Sequence, residues 1–333
     1  MIDLTIVIPS YEAQDCLTEC LAAIRDAERA HPELALEVIV VDNGSRDESL
    51  ARARESVLAP RLIAWVRNRG FAAAVNAGLR IRRGRHALLL NSDVRVAPDL
   101  LVGAVAVLDD ETEIGVLGPA LFHSDGRPQR SVHASPGLLT EFVPDFLLRR
   151  FRPAGFARGG PADETTARPR DVEAVRGAVF FIRGELLEKI GLFDEGYFFF
   201  LEETDYCARV RASGARVAYL ERLRAQHRLG ASSKHRAPLA TRIEFHRSLY
   251  RFVARWRGPG SVRVVRFGRL FRNLISVLLL SVPAIFFTRA RVRAAERIGL
   301  LLWHLRGCPA EPTLAHELQR ARMVTADSAE GHP

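Results

Sequence analysis

Short β-rich apolar runs alternate with stretches of helical spacing through the first ninety residues or so, and the runs end in proline, acids or amides. Leu4–Ile8 reads as a buried strand closed by Pro9. Cys16–Arg29 places Cys20, Leu21 and Ile24 on one helical face, and Glu37–Val41 is a second strand that stops at Asp42-Asn43-Gly44-Ser45. A strand at Leu62–Val66, a helix at Phe71–Arg82 and a strand at His86–Leu90, running into Asn91-Ser92-Asp93, continue the pattern. Strands apolar on both faces and separated by helices predict an α/β fold with a parallel sheet covered by helices. Such sheets bind ligands beyond the carboxyl ends of their strands, where the polar clusters stand.

The pattern weakens between His123 and Arg170, and Gly155–Pro169 reads as a mobile loop. Order returns with a strand at Val172–Arg183 that contains Gly177, a helix at Glu185–Ile190, an aromatic loop at Phe193–Phe200, a helix at Glu203–Ser213 and a strand at Ala215–Leu220. From Thr241 the spacing is helical again, with Phe245, Leu249, Phe252 and Trp256 on one stripe. The expected organisation is an α/β domain over residues 1–235, a basic helical region over 236–323 and a disordered tail over 324–333.

Charge divides the chain. Arg222–Arg306 holds 19 basic residues against two acids, Glu244 and Glu296, in a protein whose formal net charge is +9. Such a segment meets anionic lipid, phosphorylated ligands or nucleic acid. Within it, Leu274–Phe287 is a 14-residue apolar stretch flanked by Arg272 and Arg289. That is short of the roughly 20 residues of a membrane span and suits a helix lying in the interface. It fits lipid better than nucleic acid, and the aromatic residues form no stacking platform, so no nucleic-acid partner is expected. Asp3 breaks any apolar run at the start, so no secretory leader is expected. Cys16, Cys20, Cys207 and Cys308 are too scattered for a disulfide scaffold or a C-x-x-C site.

No G-x-G-x-x-G follows the first strand and no G-x-x-x-x-G-K-[ST] occurs, which disfavours dinucleotide and P-loop chemistry. Acids and amides stand at the strand ends instead. Asp42 can accept a hydrogen bond from a base N–H or a ribose hydroxyl, exposed by the Asn43-Gly44 turn, although Asp-Asn-Gly-Ser is also an ordinary turn. Asn91 and Asp93, two apart on an extended segment, point the same way. One carbonyl and one carboxylate suffice for Mg²⁺ when phosphate oxygens and water complete its shell, but the same residues suit a turn or a helix N-cap. Glu202, Glu203 and Asp205 open a helix, as its dipole favours. They also follow four aromatics, Tyr197–Phe200, and a carboxylate beside aromatic walls is desolvated and gains basicity. A lone histidine such as His227 is more often structural or merely exposed than functional. With Arg228, Ser232, Ser233 and Lys234 close behind, it would suit a diphosphate.

The ordered motifs Thr5-Ile-Val-Ile-Pro-Ser-Tyr11, Val40-Val-Asp-Asn-Gly-Ser45, Asn68-Arg-Gly-Phe-Ala72 with Asn76-Ala-Gly78, Leu88-Leu-Leu-Asn-Ser-Asp93, Arg176-Gly-Ala178, Gly191-Leu-Phe-Asp-Glu195 and Phe199-Phe-Leu-Glu-Glu-Thr-Asp205 together resemble glycosyltransferase family 2. The resemblance covers about residues 2–235 and is nearest to rhamnosyltransferase-like members that build bacterial cell-surface polysaccharide. It implies the GT-A fold, a Rossmann-like mixed, mostly parallel sheet flanked by helices, here with a basic helical C-terminal extension. It implies inverting transfer of a rhamnose-like sugar or other hexose from a dTDP- or UDP-sugar to a lipid-linked or glycan acceptor. By the same resemblance, Pro9, Ser10, Tyr11 and Glu12 line the nucleotide pocket, and Asp42 with Asn43 meets the base or ribose. Arg67, Asn68, Gly70, Phe71, Asn76, Asn91 and Ser92 lie near the diphosphate and sugar. Asp93 is the acid that binds Mg²⁺ or Mn²⁺, and His227 adds a metal ligand. Glu203 falls at the catalytic base, with Glu202 as its rival or as a holder of the acceptor. The basic extension would sit on an anionic membrane, at the cytoplasmic face of the inner membrane. Two positions depart from the family pattern: Asn91-Ser92 replaces a commoner acid-containing sequence, and Glu203 replaces an aspartate. A degenerate, non-catalytic nucleotide-sugar-binding scaffold at the membrane is the alternative, supported by Asn91 and opposed by Asp93, Glu203 and His227.

Overall fold

A computed structural model describes residues 1–143, 147, 168–228, 237–310 and 313–318. The expected Gly155–Pro169 loop, save its last two residues, the 324–333 tail, and Ser232, Ser233 and Lys234 lie outside the described residues. In chain order the elements begin with β1 (Leu4–Ser10), α1 (Gln14–Ala30), β2 (Leu36–Asp42), α2 (Ser49–Arg54), β3 (Arg61–Ala64), α3 (Phe71–Arg80), β4 (His86–Leu90) and β5 (Val94–Val96). There follow α4 (Pro98–Asp110), β6 (Ile114–Phe122), β7 (Val132–His133), α5 (Leu138–Phe142), β8 (Arg170–Asp171), β9 (Ala174–Val175) and β10 (Val179–Arg183). Last come α6 (Gly184–Ile190), α7 (Glu202–Ala212), β11 (Arg216–His227), α8 (Pro238–Phe286) and α9 (Thr288–Leu305).

The chain divides into two units. The first comprises Met1–Ser135 and the described parts of Arg149–Phe198 and Glu202–Ala231; the second holds α5, Phe199–Leu201, α8 and α9. In the first unit the main sheet runs β3-β2-β1-β4-β10-β6-β11-β5, with β8 also on β11. Strands β1, β2, β3, β4, β6 and β11 share one direction, while β5, β8 and β10 oppose it, so the sheet is mixed and mostly parallel. Alternation along β1 feeds both faces. Leu4, Ile6 and Ile8 pack with Leu17, Cys20, Leu21 and Ile24 of α1. Val7, with Ile39 and Val41 of β2, packs with Ala72, Val75 and Leu79 of α3. Each covering helix thus buries one apolar stripe, the main source of its stability.

Two expected strands differ from what forms. The run Val172–Arg183 is broken: β9 pairs with β7 in a separate two-stranded sheet, β10 joins the main sheet antiparallel, and Arg176-Gly177-Ala178 turns between them. The strand expected to stop at Leu220 continues to His227, because Leu223, Ala225 and His227 are buried while Arg222, Arg224 and Gln226 face solvent. That alternation is the period of a half-buried strand. Elements β5, α4 and β6 carry no expectation from the sequence reading.

In the second unit α8 is interrupted at Gly258 (φ 82°, ψ 164°), just before Pro259. Ile243, Leu300 and Trp303 form an apolar cluster between α8 and α9. Tyr250 Oη donates to His304 Nε2 at 2.7 Å, and His304 Nδ1 donates to Leu300 O at 2.8 Å. Leu274–Phe287 is the end of this longer helix, which contains one window apolar and long enough by composition to cross a membrane, only 6% of it buried. Leu278, Leu279, Val282, Ile285, Phe286 and Phe287 are all exposed.

Candidate active site

Register brings the first polar residues together. Ser10 stands opposite Asp42 in the β1–β2 pair, and β4, which ends just before Asn91, lies on the other side of β1. Strand order reverses at β1, which makes this the switch point where an open sheet leaves a crevice. Among the described residues, Ser10 Oγ, Asp42 Oδ1 and Asn91 Oδ1 are buried with no hydrogen-bond partner. Each such oxygen costs about 1–3 kcal/mol. Three of them on adjacent strand ends suit a polar ligand that completes their bonding. Burial pushes the Asp42 carboxyl up, against the hydrogen bonds from Ser45 that favour its charge.

The loops beyond these strands are tied to one another. Glu12, with φ 53°, donates its N–H to Ser45 Oγ at 2.9 Å and accepts from the Arg46 N–H at 3.0 Å. Pro9 and Tyr11 are half-buried, and Arg67 is exposed. Asn68 Oδ1 accepts from the Gly70 N–H at 2.9 Å. Gly70, with φ 94°, lies so close to Phe198 that a Cβ there would sit 2.7 Å from its carbonyl oxygen, and the Phe71 N–H donates to that oxygen at 2.8 Å. Two expected ligand residues serve this scaffold. Asn43 accepts from the Arg69 N–H at 2.8 Å and donates to Gly70 O at 3.0 Å. Asn76 is buried and spends both amide hydrogens, on Phe193 O and Glu195 Oε1, each at 2.9 Å. Its amide has no donor left for a diphosphate, so it fixes the 193–195 loop.

The turn after β4 leads Asp93 to His227. The Asn91 N–H donates to Ala178 O at 2.9 Å, Ser92 is half-buried, and β5 then pairs with β11 so that Val94 faces His227. Asp93 Oδ1 lies 3.3 Å from His227 Nε2. Gln129 holds the other side of the ring: Oε1 is 3.0 Å from His227 Nδ1, and Nε2 donates to His227 O at 2.5 Å. Since the Gln129 amide nitrogen is committed to a carbonyl, its oxygen must accept from Nδ1–H. With Nδ1–H committed to Gln129, His227 turns Nε2 toward a carboxylate, an arrangement that calls for a cation or a proton between the two. The residues present therefore fit a divalent ion, though no cluster of three or more His, Cys, Asp or Glu ligands occurs among the described residues. Asp93 opens into a cleft of about 220 Å³ lined by Cys16, Glu19, Arg95, Ser124, Gln226 and Arg228.

The carboxylates of α7 follow two non-glycine residues in left-handed conformation, Phe200 (φ 75°) and Leu201 (φ 65°). Such backbone is uncommon and clusters at functional sites. Glu202 is buried at 4% exposure, whereas the Glu203 side chain retains 15%. Gly177 lies against it: a Cβ there would be in van der Waals contact with Glu203 Cβ at 3.4 Å. Burial pushes the Glu203 carboxyl up, and the Arg176 cation partly offsets this. His133 Nε2 lies 2.8 Å from Thr204 Oγ1 and 3.8 Å from Glu203 Oε1. Burial, with Arg176 and Arg130 nearby, lowers His133 to about 4. The imidazole is therefore neutral at physiological pH, and its contact with Glu203 is no ion pair. Asp205 is fully buried and bound to Arg209 Nε at 3.2 Å, a structural pair.

One segment joins these parts. Ala178 accepts from Asn91, Gly177 faces Glu203, and the Arg176 N–H donates to Ser131 O at 2.9 Å, two residues beyond the Gln129 that holds His227. Gln129, His133 and Arg176 were not singled out by spacing. The first two lie where the sequence pattern is weakest, and only the Arg176-Gly-Ala178 motif hinted at the third.

Comparison with known proteins fits this geometry. Residues 5–162 match the family described as Glycosyl transferase family 2. The chain carries a family 2 glycosyltransferase domain. The chain is 25% identical over 274 residues, 77% of its own length and 87% of the relative's, to the N-acetylglucosaminyl-diphospho-decaprenol L-rhamnosyltransferase of Mycobacterium tuberculosis. It is 23% identical over 229 residues, 68% of its length and 67% of the relative's, to the low-salt glycan biosynthesis hexosyltransferase Agl10 of Haloferax volcanii. Among solved structures it is similar to the mannosyltransferase PcManGT of Pyrobaculum calidifontis in complex with GDP-Man and Mn²⁺, with TM-score 0.54 and 19% identity over 91% of this chain and 86% of that one. That likeness establishes the GT-A fold.

Proposed function

We propose that the protein is an inverting glycosyltransferase that moves a hexose, rhamnose-like or other, from a nucleoside-diphosphate sugar to a hydroxyl of a lipid-linked or glycan acceptor. One observation carries this reading: the 176–178 segment ties the Asn91–Asp93 turn to the partly buried Glu203. A donor held at the strand ends therefore has a candidate base beside it. The nucleoside rests against Asp42 and the Pro9–Glu12 loop. Asp93 and His227 would hold Mg²⁺ or Mn²⁺, which when bound neutralises charge on the diphosphate leaving group.

In the reaction, Glu203 takes the proton of the acceptor hydroxyl as that oxygen forms its bond to the anomeric carbon. The bond from that carbon to the diphosphate oxygen breaks in the same step, and the diphosphate leaves with the electron pair from the opposite face. Configuration inverts, and positioning supplies much of the acceleration. The relatives' names, one with a diphospho-decaprenol substrate, support a lipid-linked acceptor. The exposed apolar end of α8 and the surrounding arginines fit an anionic membrane surface, the cytoplasmic face of the inner membrane. Flotation with vesicles containing phosphatidylglycerol should carry the protein, and Leu279→Asp with Ile285→Asp should release it. Equal flotation of both forms would refute the membrane role.

The deciding experiment incubates the protein with Mn²⁺, a panel of dTDP-, UDP- and GDP-sugars and a polyprenyl-diphosphate-linked N-acetylglucosamine. The reading expects nucleoside diphosphate release and a product of inverted anomeric configuration. A retained configuration rejects the direct displacement, and absence of transfer or hydrolysis with every donor favours a scaffold.

A further inference from the structure

Arg176 is partly buried, and its backbone is fixed by the 2.9 Å hydrogen bond to Ser131 O. Among the described residues its guanidinium makes no hydrogen bond; it feels Glu203 as the nearby opposite charge and Arg130 as a like charge. A guanidinium carries five donors in a planar fork that matches phosphate. Held partly desolvated, with Glu203 as its counter-charge but no hydrogen bond among the described residues, the Arg176 fork has donors left for a further anion. The position says which anion. Glu203 must meet the attacking hydroxyl, so a group beside it meets the acceptor, while the donor diphosphate departs on the opposite side, toward Asp93.

We propose that Arg176 forms an anion subsite next to Glu203 that takes a phosphate attached to the acceptor sugar. The proposal rests on the reading of Glu203 as the base of a glycosyltransferase. It makes Arg176 a specificity residue for phosphate-linked acceptors.

The test compares wild type with Arg176→Gln on two acceptors that share one sugar, a polyprenyl-diphosphate-linked form and a neutral alkyl glycoside, above the acid limb of the rate profile. kcat/KM for the diphosphate acceptor should fall about 10- to 100-fold, as expected for loss of one charge-assisted contact. The alkyl glycoside should lose at least about 5-fold less than the diphosphate acceptor and donor KM should stay constant, the pattern of an interaction made with one substrate beyond any shared effect on Glu203. Equal losses on both acceptors, or a raised donor KM, overturn the proposal. A second measurement titrates farnesyl diphosphate into protein held in EDTA, with thermal melts confirming that the variants are folded. Wild type should bind at least about 10-fold more tightly than Arg176→Gln, with Arg176→Lys between them. Equal binding, or none by wild type, overturns the subsite. Because this titration needs no turnover, it separates failure of the subsite from failure of the transferase reading.

Discussion

Asp93 Oδ1 lies 3.3 Å from His227 Nε2, and the contact is built by the sheet: β5 follows Asp93 directly and pairs with the last residues of β11. With Gln129 fixing the far side of the ring, His227 has one orientation. His227→Ala should raise the Mn²⁺ concentration for half-maximal activity at least about 10-fold, since even residues that only orient a metal ligand cost 10- to 100-fold. An activity titration against Mn²⁺ checks this; an unchanged curve removes His227 from the metal site.

Glu203→Gln should lower kcat about 10²- to 10⁴-fold, the range of general-base catalysis, while nucleoside-diphosphate-sugar binding persists. Glu202→Gln should retain far more activity, because Glu202 is buried whereas Glu203 faces Gly177. Steady-state rates and calorimetric donor binding on both variants decide between the two carboxylates.

The proposed base, Glu203, also predicts the pH dependence. Burial raises the Glu203 carboxyl, and Arg176 offsets part of the rise. The base works deprotonated, so kcat/KM should fall as pH drops through that raised value, placing the acid limb above the ordinary glutamate value of about 4.3. Removing the Arg176 charge should move the limb higher still. His133, held near 4, should add no limb in the ordinary histidine range. A pH profile with its limb at or below the ordinary glutamate value would contradict the assignment.

Stability has its own titration. Glu37 is buried and accepts from Thr5 Oγ1 at 2.7 Å, Arg61 at 2.8 Å and Arg83 at 2.7 Å. Burial alone would raise its carboxyl, but Thr5, Arg61 and Arg83 together hold it at about 2, down from 4.5. Its folded-state value is depressed, so its contribution is complete above the unfolded value and is lost as pH falls toward 2. Because both arginines are partly exposed and screened, Glu37→Gln should cost on the order of 2 kcal/mol at pH 7. The deficit should shrink in acid. Urea denaturation at pH 7 and pH 3 reads both values.

Much of this site could be read from the chain. Each of Ser10, Asp42 and Asn91 ends or directly follows an apolar run, and a buried run in a parallel sheet announces itself without any partner. What stayed hidden depends on pairing. The β5–β11 register that joins Asp93 to His227 involves three residues of β5, too few to show a period. The break at Arg176-Gly177-Ala178 lies inside an otherwise strand-rich run, where Gly177 is the one breaker in that sequence and the Glu203 side chain packs against it. Asn43 and Asn76 carry the residue type a ligand site uses, yet their amides bind the neighbouring loops. Amide chemistry in a sequence does not tell whether its partner is a sugar or a main-chain carbonyl.

Crystals grown with UDP or dTDP and Mn²⁺, measured at the manganese absorption edge, test the central claim most directly. The account predicts an anomalous peak bound by Asp93 and His227, with the diphosphate beside it and the base or ribose against Asp42. A peak at other residues, or a nucleotide bound away from the ends of β1, β2 and β4, would contradict it.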